Sequence, residues 1–228
     1  MASPISTPPE VIYPHSDGKP VGETPEHAEN LLHLVEMLRQ WFNDDEMTYV
    51  GGNNFIYYER GNPRRHVSPD VFVGRGIPKL PRRRRYLVWE EHKAPDLVIE
   101  LTSTSTVKED QERKYALYRD VLRVREYFLF DPLGECLKPR LQGFRLRQGA
   151  YVPIRRLRGR LPSKILGLHL EQDDWELRLY DPAGDRWLPT PSELFQSLDS
   201  AEQALRAAES ENERLQKEVE KLRRRSDA

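Results

Sequence analysis

From Thr24 the apolar positions Ala28, Leu31, Leu32, Val35, Leu38 and Phe42 recur three and four residues apart. That spacing lines one face of a helix. Thr24-Pro25 supplies a hydroxyl N-cap followed by proline at the first helical position. The pattern then shortens into runs. Residues 47–50 and 53–58 read as two strands joined at Gly51-Gly52 in a hairpin. Residues 71–73 form a short strand behind Pro69-Asp70, and 75–93, without a clean period, read as a loop or excursion. A compact apolar strand at 97–101, a helical pattern at 107–122 and a strand at 126–130 follow, the last stopped by Asp131-Pro132. Strand, helix, strand in that order predicts a parallel pair with a right-handed crossover. Later strands are expected at 143–147, 150–154 and 175–180, with turns at Gly149 and at Pro182-Ala183-Gly184. The prediction is an α/β fold: a mixed sheet flanked by helices, with strands spanning 70–74, 96–102 and 126–130.

The last forty residues have a different period. Thr190-Pro191-Ser192-Glu193 has the spacing of a capping box, with proline at the first helical position. Leu198, Ala201, Leu205, Ala208, Asn212, Leu215, Val219 and Leu222 then alternate steps of three and four, a heptad seam. Val219 among the a positions, Leu215 and Leu222 among the d positions and a single Asn212 at a favour a two-stranded parallel coiled coil. Glu218 and Arg223 can pair between chains. The expected partner is a second copy, a homodimer through residues 198–222; a single amphipathic helix is the competing reading. Three domains result: an extended arm rich in Pro and Ser at 1–22, a core at 23–189 and a coiled-coil helix at 190–228.

Composition adds constraints. With 228 residues, 37% hydrophobic and 32% charged, the chain is polar for a globular protein, as a long charged helix would make it. A core of about 150 to 190 residues still buries well over half its surface. The net charge of −1 identifies no partner, but its distribution does. Residues 1–59 hold ten acids against Lys19 and Arg39, whereas residues 136–170 hold nine bases and no acid. Arg82 to Arg85 form a further basic run. Such a field either steers nucleic acid toward the chain or coats a solvated hairpin. The lone cysteine, Cys136, permits no internal disulfide, and a reducing, cytoplasmic location is expected. The first twenty residues lack the basic start and apolar stretch of a signal peptide. No run approaches the ~18 apolar residues of a membrane span, so no membrane partner is expected.

Chemistry concentrates at two strands. Asp70 stands at the mouth of a strand behind Pro69. In Leu97-Val98-Ile99-Glu100-Leu101-Thr102, alternation puts Leu97, Ile99 and Leu101 on one face and Val98, Glu100 and Thr102 on the other. Glu100 is a carboxylate inside an apolar strand, and burial of such a charge demands a cation or hydrogen-bond donors. Two carboxylates from neighbouring strands suit a hard divalent ion, whose bound water is a nucleophile for phosphodiesters. The alternative is that Asp70 caps a turn and Glu100 pairs with an arginine. The six histidines form no i, i+4 pair among themselves and have no cysteine partner, so zinc is not expected. The chain has no Gly-rich phosphate loop and no G-x-S-x-G elbow, which removes nucleotide-triphosphate and serine-hydrolase readings.

The ordered set Asp70, Ile99-Glu100-Leu101-Thr102-Ser103-Thr104-Ser105-Thr106, Asp110, Lys114, Tyr118, Val124, Glu126-Tyr127 and Asp131-Pro132 resembles the Uma family. That family belongs to the restriction-endonuclease-like, PD-(D/E)XK superfamily and is common in bacteria, notably cyanobacteria. The resemblance also takes in Asp17-Gly18-Lys19-Pro20, Glu23, Leu177-Arg178-Leu179-Tyr180 and the trailing coiled coil, nearly the whole chain. It implies a restriction-endonuclease-like fold, with Asp70 and Glu100 as the acids that bind Mg2+ (or Mn2+). The superfamily lysine two residues after the glutamate is replaced by Thr102, and the resemblance moves it to Lys114. Glu23 is a fourth candidate, with a helix-entry glutamate as its alternative. The chain departs from the family at Arg123, where glycine is usual, and at Ser103-Thr104, where Ser-Pro is usual. The function implied is metal-dependent hydrolysis of DNA phosphodiester bonds by two carboxylates and a lysine. The competing function is a non-catalytic binding or assembly protein that keeps the nuclease fold and is dimerised by its coiled coil.

Overall fold

A computed structural model of the chain describes residues 11–14 and 24–226, so Glu23, Asp17-Gly18-Lys19-Pro20 and most of the arm at 1–22 lie outside the described residues. The chain divides into two units, Met1–Leu188 and Pro189–Ala228.

The first unit is mixed α/β. Its main sheet has six strands: β1 (Thr48–Gly52), β4 (Val71–Arg75), β6 (Leu97–Leu101), β7 (Glu126–Phe130), β8 (Leu141–Arg147) and β9 (Ala150–Pro153), in the spatial order β1-β4-β6-β7-β8-β9. A three-stranded sheet joins β2 (Ile56–Tyr57), β3 (His66–Val67) and β5 (Tyr86–Leu87), and a four-stranded one joins β10 (Leu161–Pro162), β11 (His169–Asp173), β12 (Glu176–Asp181) and β13 (Arg186–Trp187). In the main sheet only β6 and β7 run parallel. A parallel pair needs a crossover, and a helix over residues 107–121, here α3, supplies it.

The core forms on both faces of the main sheet. Helix α1 (Pro25–Trp41) is capped by Thr24, whose hydroxyl accepts the His27 N–H at 3.3 Å. Its Leu34, Val35 and Leu38 join Val71, Val73, Leu97, Ile99, Leu101 and Phe128 in one apolar cluster. Phe72, Val98, Tyr118 and Tyr127 belong to the cluster on the other face. All five residues of β6 are buried, as expected of a strand covered on both sides.

Two expectations need correction. Gly51-Gly52 does not turn a hairpin: β1 runs straight through it to pair with β4, and β2 belongs to another sheet. A Cβ on Gly51 would stand 2.3 Å from the Phe72 ring, and one on Gly52 2.8 Å from Val35. Close packing, not a turn, calls for glycine there. Residues 75–93 also hold more than a loop, since they include β5 and the short helix α2 (Val88–Glu91).

The second unit is the helix α4 (Pro191–Ser226). Its first turn closes with the expected reciprocal bonds. Thr190 donates its N–H to Glu193 Oε2 at 2.7 Å, and Glu193 donates its N–H to Thr190 Oγ1 at 3.2 Å. Leu198 and Leu205 remain 61% and 59% exposed, and Leu215 and Val219 about half exposed.

Candidate active site

Asp70 precedes β4 and Glu100 lies within β6. The antiparallel register pairs Val71 with Ile99, so Asp70 falls opposite Glu100 and both project to the face of Val98 and Phe72. Glu100 is 0% exposed. Its Oε1 accepts the Tyr118 hydroxyl at 2.6 Å, and its Oε2 accepts the Asp70 N–H at 3.3 Å. Asp70 Oδ2 accepts the Leu101 N–H at 2.7 Å, and its Oδ1 lies 3.4 Å from His27 Nε2. Asp70 is bonded to the neighbouring strand, and among the described residues no arginine pairs with Glu100.

Helix α3 brings the cation. Lys114 Nζ lies 3.0 Å from Glu100 Oε2 and 3.0 Å from Asp110 Oδ1. Asp110, Lys114 and Tyr118 recur at four-residue steps on the face turned to the sheet. Two stretches of α3, Glu109–Lys114 and Leu117–Val121, have π-helical hydrogen bonding, a wider turn that recurs at functional sites. Asp110 is 1% exposed, so it is no surface partner of Lys114. The Tyr127 hydroxyl donates to its backbone oxygen at 3.0 Å.

The electrostatics follow from three carboxylates sharing one ammonium. Burial, together with the charges of Asp70 and Asp110, pushes Glu100 up to about 8 against the pull of Lys114. Burial also raises Asp110. Burial acts on Asp70 in the same direction, but His27, Lys114 and the Leu101 N–H outweigh it and hold that carboxyl below its ordinary value. Burial opposes the charge on Lys114, yet the surrounding acids keep it more firmly protonated than a free lysine. Glu100 and Asp110 are thus the carboxyls of the cluster biased toward the protonated form, and Asp70 the one biased against it.

These groups open onto a cleft of about 370 Å³ lined by His27, Asp70, Thr102, Asp110 and Lys114. Thr102, at the position where the superfamily places lysine, is buried, and its Oγ1 has no hydrogen-bond partner among the described residues. The donor set fits a hard divalent ion: two carboxylates from adjacent strands, excess negative charge, and space for waters.

The fold thus gathers Asp70, Glu100 and Lys114, while Glu23 lies outside the described residues. Sequence reasoning missed His27, which no pattern distinguishes from the other polar residues of α1, and the burial of Asp110. The four-residue recurrence of Asp110, Lys114 and Tyr118 was the available signal for the latter.

No curated protein matches the chain. A crystal structure described as "a putative nuclease belonging to DUF820 from Anabaena variabilis ATCC 29413" superposes with a TM-score of 0.48 at 15% identity, covering 71% of this chain and 87% of that one. Residues 4–178 match the model of a family described as "Uma2: Putative restriction endonuclease". The match spans well over half of the sequence, and the chain belongs to the Uma2 family.

Proposed function

We propose that this protein is a metal-dependent endonuclease that hydrolyses DNA phosphodiester bonds in the cleft above Asp70 and Glu100. One observation carries the reading: the Lys114 ammonium, from a separate helix, lies 3.0 Å from Glu100 in a strand that has Thr102 where a lysine would complete the motif. In this reading Asp70 and Glu100 hold Mg2+ or Mn2+, which when bound supplies an activated water and neutralises charge on the phosphate. Lys114 donates to the scissile phosphate or the attacking water. Asp110 fixes the ammonium, Tyr118 orients Glu100, and His27 steadies Asp70. Residues 23–189 form the nuclease core. Of the nine bases at 136–170, Arg145 and Arg160 are engaged by Glu126 and Glu171, and Arg140 and Arg156 by the carbonyls of Asp131 and Leu141, which leaves Lys138, Arg147, Arg155, Arg158 and Lys164 to contact phosphate.

The exposed heptad seam of α4 supports pairing of two copies. Parallel pairing sets Asn212 against its own copy, where the two amides bond each other, and no like charges meet across the flanking positions. Light scattering on the full chain is expected to give twice the chain mass, and Leu205→Asp with Leu215→Asp to give one. An unchanged mass would reject the pairing.

The activity test is cleavage of supercoiled plasmid. The wild type is expected to nick it in Mg2+ or Mn2+ and not in EDTA, and Asp70→Asn to be inert. A metal-replete wild type without cleavage of duplex, single-stranded DNA or RNA would favour the assembly role carried by α4.

A further inference from the structure

A second group of ligating side chains lies outside the cleft. Glu29 and His33 are four residues apart on α1, and Glu176 opens β12. One ligand atom from each lies within 4.8 Å of the others. His33 Nδ1 is 3.6 Å from Glu176 Oε1, and His33 Nε2 is 3.8 Å from Glu29 Oε1. The His33 side chain is only 9% exposed, yet neither ring nitrogen has a carboxylate within the ~2.7–3.2 Å of a hydrogen bond.

The 3.6 Å between His33 Nδ1 and Glu176 Oε1 is close to the spacing of two donors around one ion. Metal bonds of ~2.0–2.2 Å at tetrahedral angles set their donor atoms about 3.4 Å apart. The position of Glu176 is also fixed in advance. Asn30, the neighbour of Glu29, donates to the Trp175 carbonyl at 2.9 Å and accepts the Leu177 N–H at 2.8 Å. The residues on either side of Glu176 are thus tied to the helix turn that carries Glu29. The two approaches fall on different ring nitrogens, so an ion held by Nδ1 and Glu176 requires a rotamer change of the exposed Glu29, whose ligand atom already lies within 4.8 Å of the others.

We propose that Glu29, His33 and Glu176 form a second metal site, for a borderline divalent ion such as Zn2+, which clips α1 to β12. One imidazole and two carboxylates, with positions left for water, favour Zn2+ over Mg2+. Among the described residues, Arg178 lies 3.7 Å from Glu176 Oε2 and offsets one of the two acids. The ion binds the folded joint and not the open chain, so it stabilises the fold.

The test uses the full chain carrying Glu100→Gln, which removes a carboxylate from the cleft and leaves this site intact. Zn2+ titrated calorimetrically is expected to bind at one site per chain with a Kd on the order of 1–10 µM and to raise the melting temperature by several degrees. Adding Glu176→Gln or Glu29→Gln is expected to weaken binding at least about tenfold and to abolish the melting shift. Glu29 is exposed, so its variant folds even if a change at His33 does not. Absence of Zn2+ binding, or binding unchanged by Glu29→Gln together with Glu176→Gln, overturns the proposal. Plasmid cleavage by otherwise wild-type chains is expected to survive Glu29→Gln, so this site and the cleft stand or fall separately.

Discussion

Strand β6 has a buried acid at each end, and the two are accommodated in opposite ways. Asp96, just before the strand, is almost fully buried. It meets the Lys93 ammonium at 2.7 Å, the Arg125 guanidinium at 2.7 Å and the Arg75 N–H at 2.7 Å. One carboxylate has two cations. Four residues on, Glu100 shares one ammonium with Asp110 and stands beside Asp70. A charge matched by its neighbours holds the fold together, whereas excess charge of one sign in a cleft is arranged for something that arrives. Glu126, on the adjacent β7, belongs with Asp96. Arg145, the Ser163 hydroxyl and the Lys164 N–H all engage its carboxylate.

The largest effect expected from this contrast is on catalysis. Lys114→Met should keep the fold and metal binding yet lower plasmid cleavage by about a hundredfold or more, the scale of losing one electrostatic stabiliser. Asp96→Asn, at the other end of the strand, should cleave normally per folded molecule. Equal activity of Lys114→Met and wild type would erase the distinction.

Stability should respond in the reverse order. Asp96→Asn leaves two cations facing a neutral amide, and urea unfolding should report a loss of about 2 kcal/mol, discounted because Lys93 and Arg125 are partly exposed. Glu100→Gln should instead stabilise the metal-free protein by about 1 kcal/mol at pH 8, since it relieves repulsion with Asp70 and Asp110. The folded Glu100 carboxyl titrates at about 8, against 4.5 as its ordinary value. Between those values the folded chain binds more protons than the unfolded one, so metal-free stability falls as pH rises through the window. The variant should flatten that slope. A wild type whose urea midpoint is level across the same range would contradict the assigned direction.

The smallest effect tests the end of α3. Arg123 follows the last turn with φ +54°, a left-handed position where glycine is the usual helix stop. Arg123→Gly should raise stability by about 0.5 kcal/mol, relief of the strained φ being partly offset by added freedom of the unfolded chain. Loss of stability on thermal melting would show that the arginine side chain contributes more than its backbone costs.

Much of this was legible in the residues. Alternation in 97–102 alone put Glu100 on the face away from Ile99, because strand periodicity admits no other assignment. Thr190 and Glu193 marked the start of α4, because both partners of a capping box lie within one turn. What was not legible depends on distant parts of the chain. Gly51-Gly52 has the composition of a turn, and only the Phe72 ring and Val35 explain glycine within a strand. The position of Lys114 on the apolar side of its helix pointed toward Glu100, whereas the burial of Asp110 is not encoded by its i, i+4 spacing to Lys114. Glu29 and His33 meet a third ligand 143 residues later at Glu176, across a contact between helix and strand that no local pattern encodes.

Calorimetric titration of Mg2+ into metal-free protein tests the central contrast most directly. The wild type and Asp96→Asn are expected to bind alike, and Asp70→Asn and Glu100→Gln to lose binding. At pH 7 the wild type should release close to one proton per ion, seen as a dependence of the heat on the buffer, because the ion displaces the proton held by Glu100. Binding that persists in both Asp70→Asn and Glu100→Gln, or that is lost in a folded Asp96→Asn, would contradict the account.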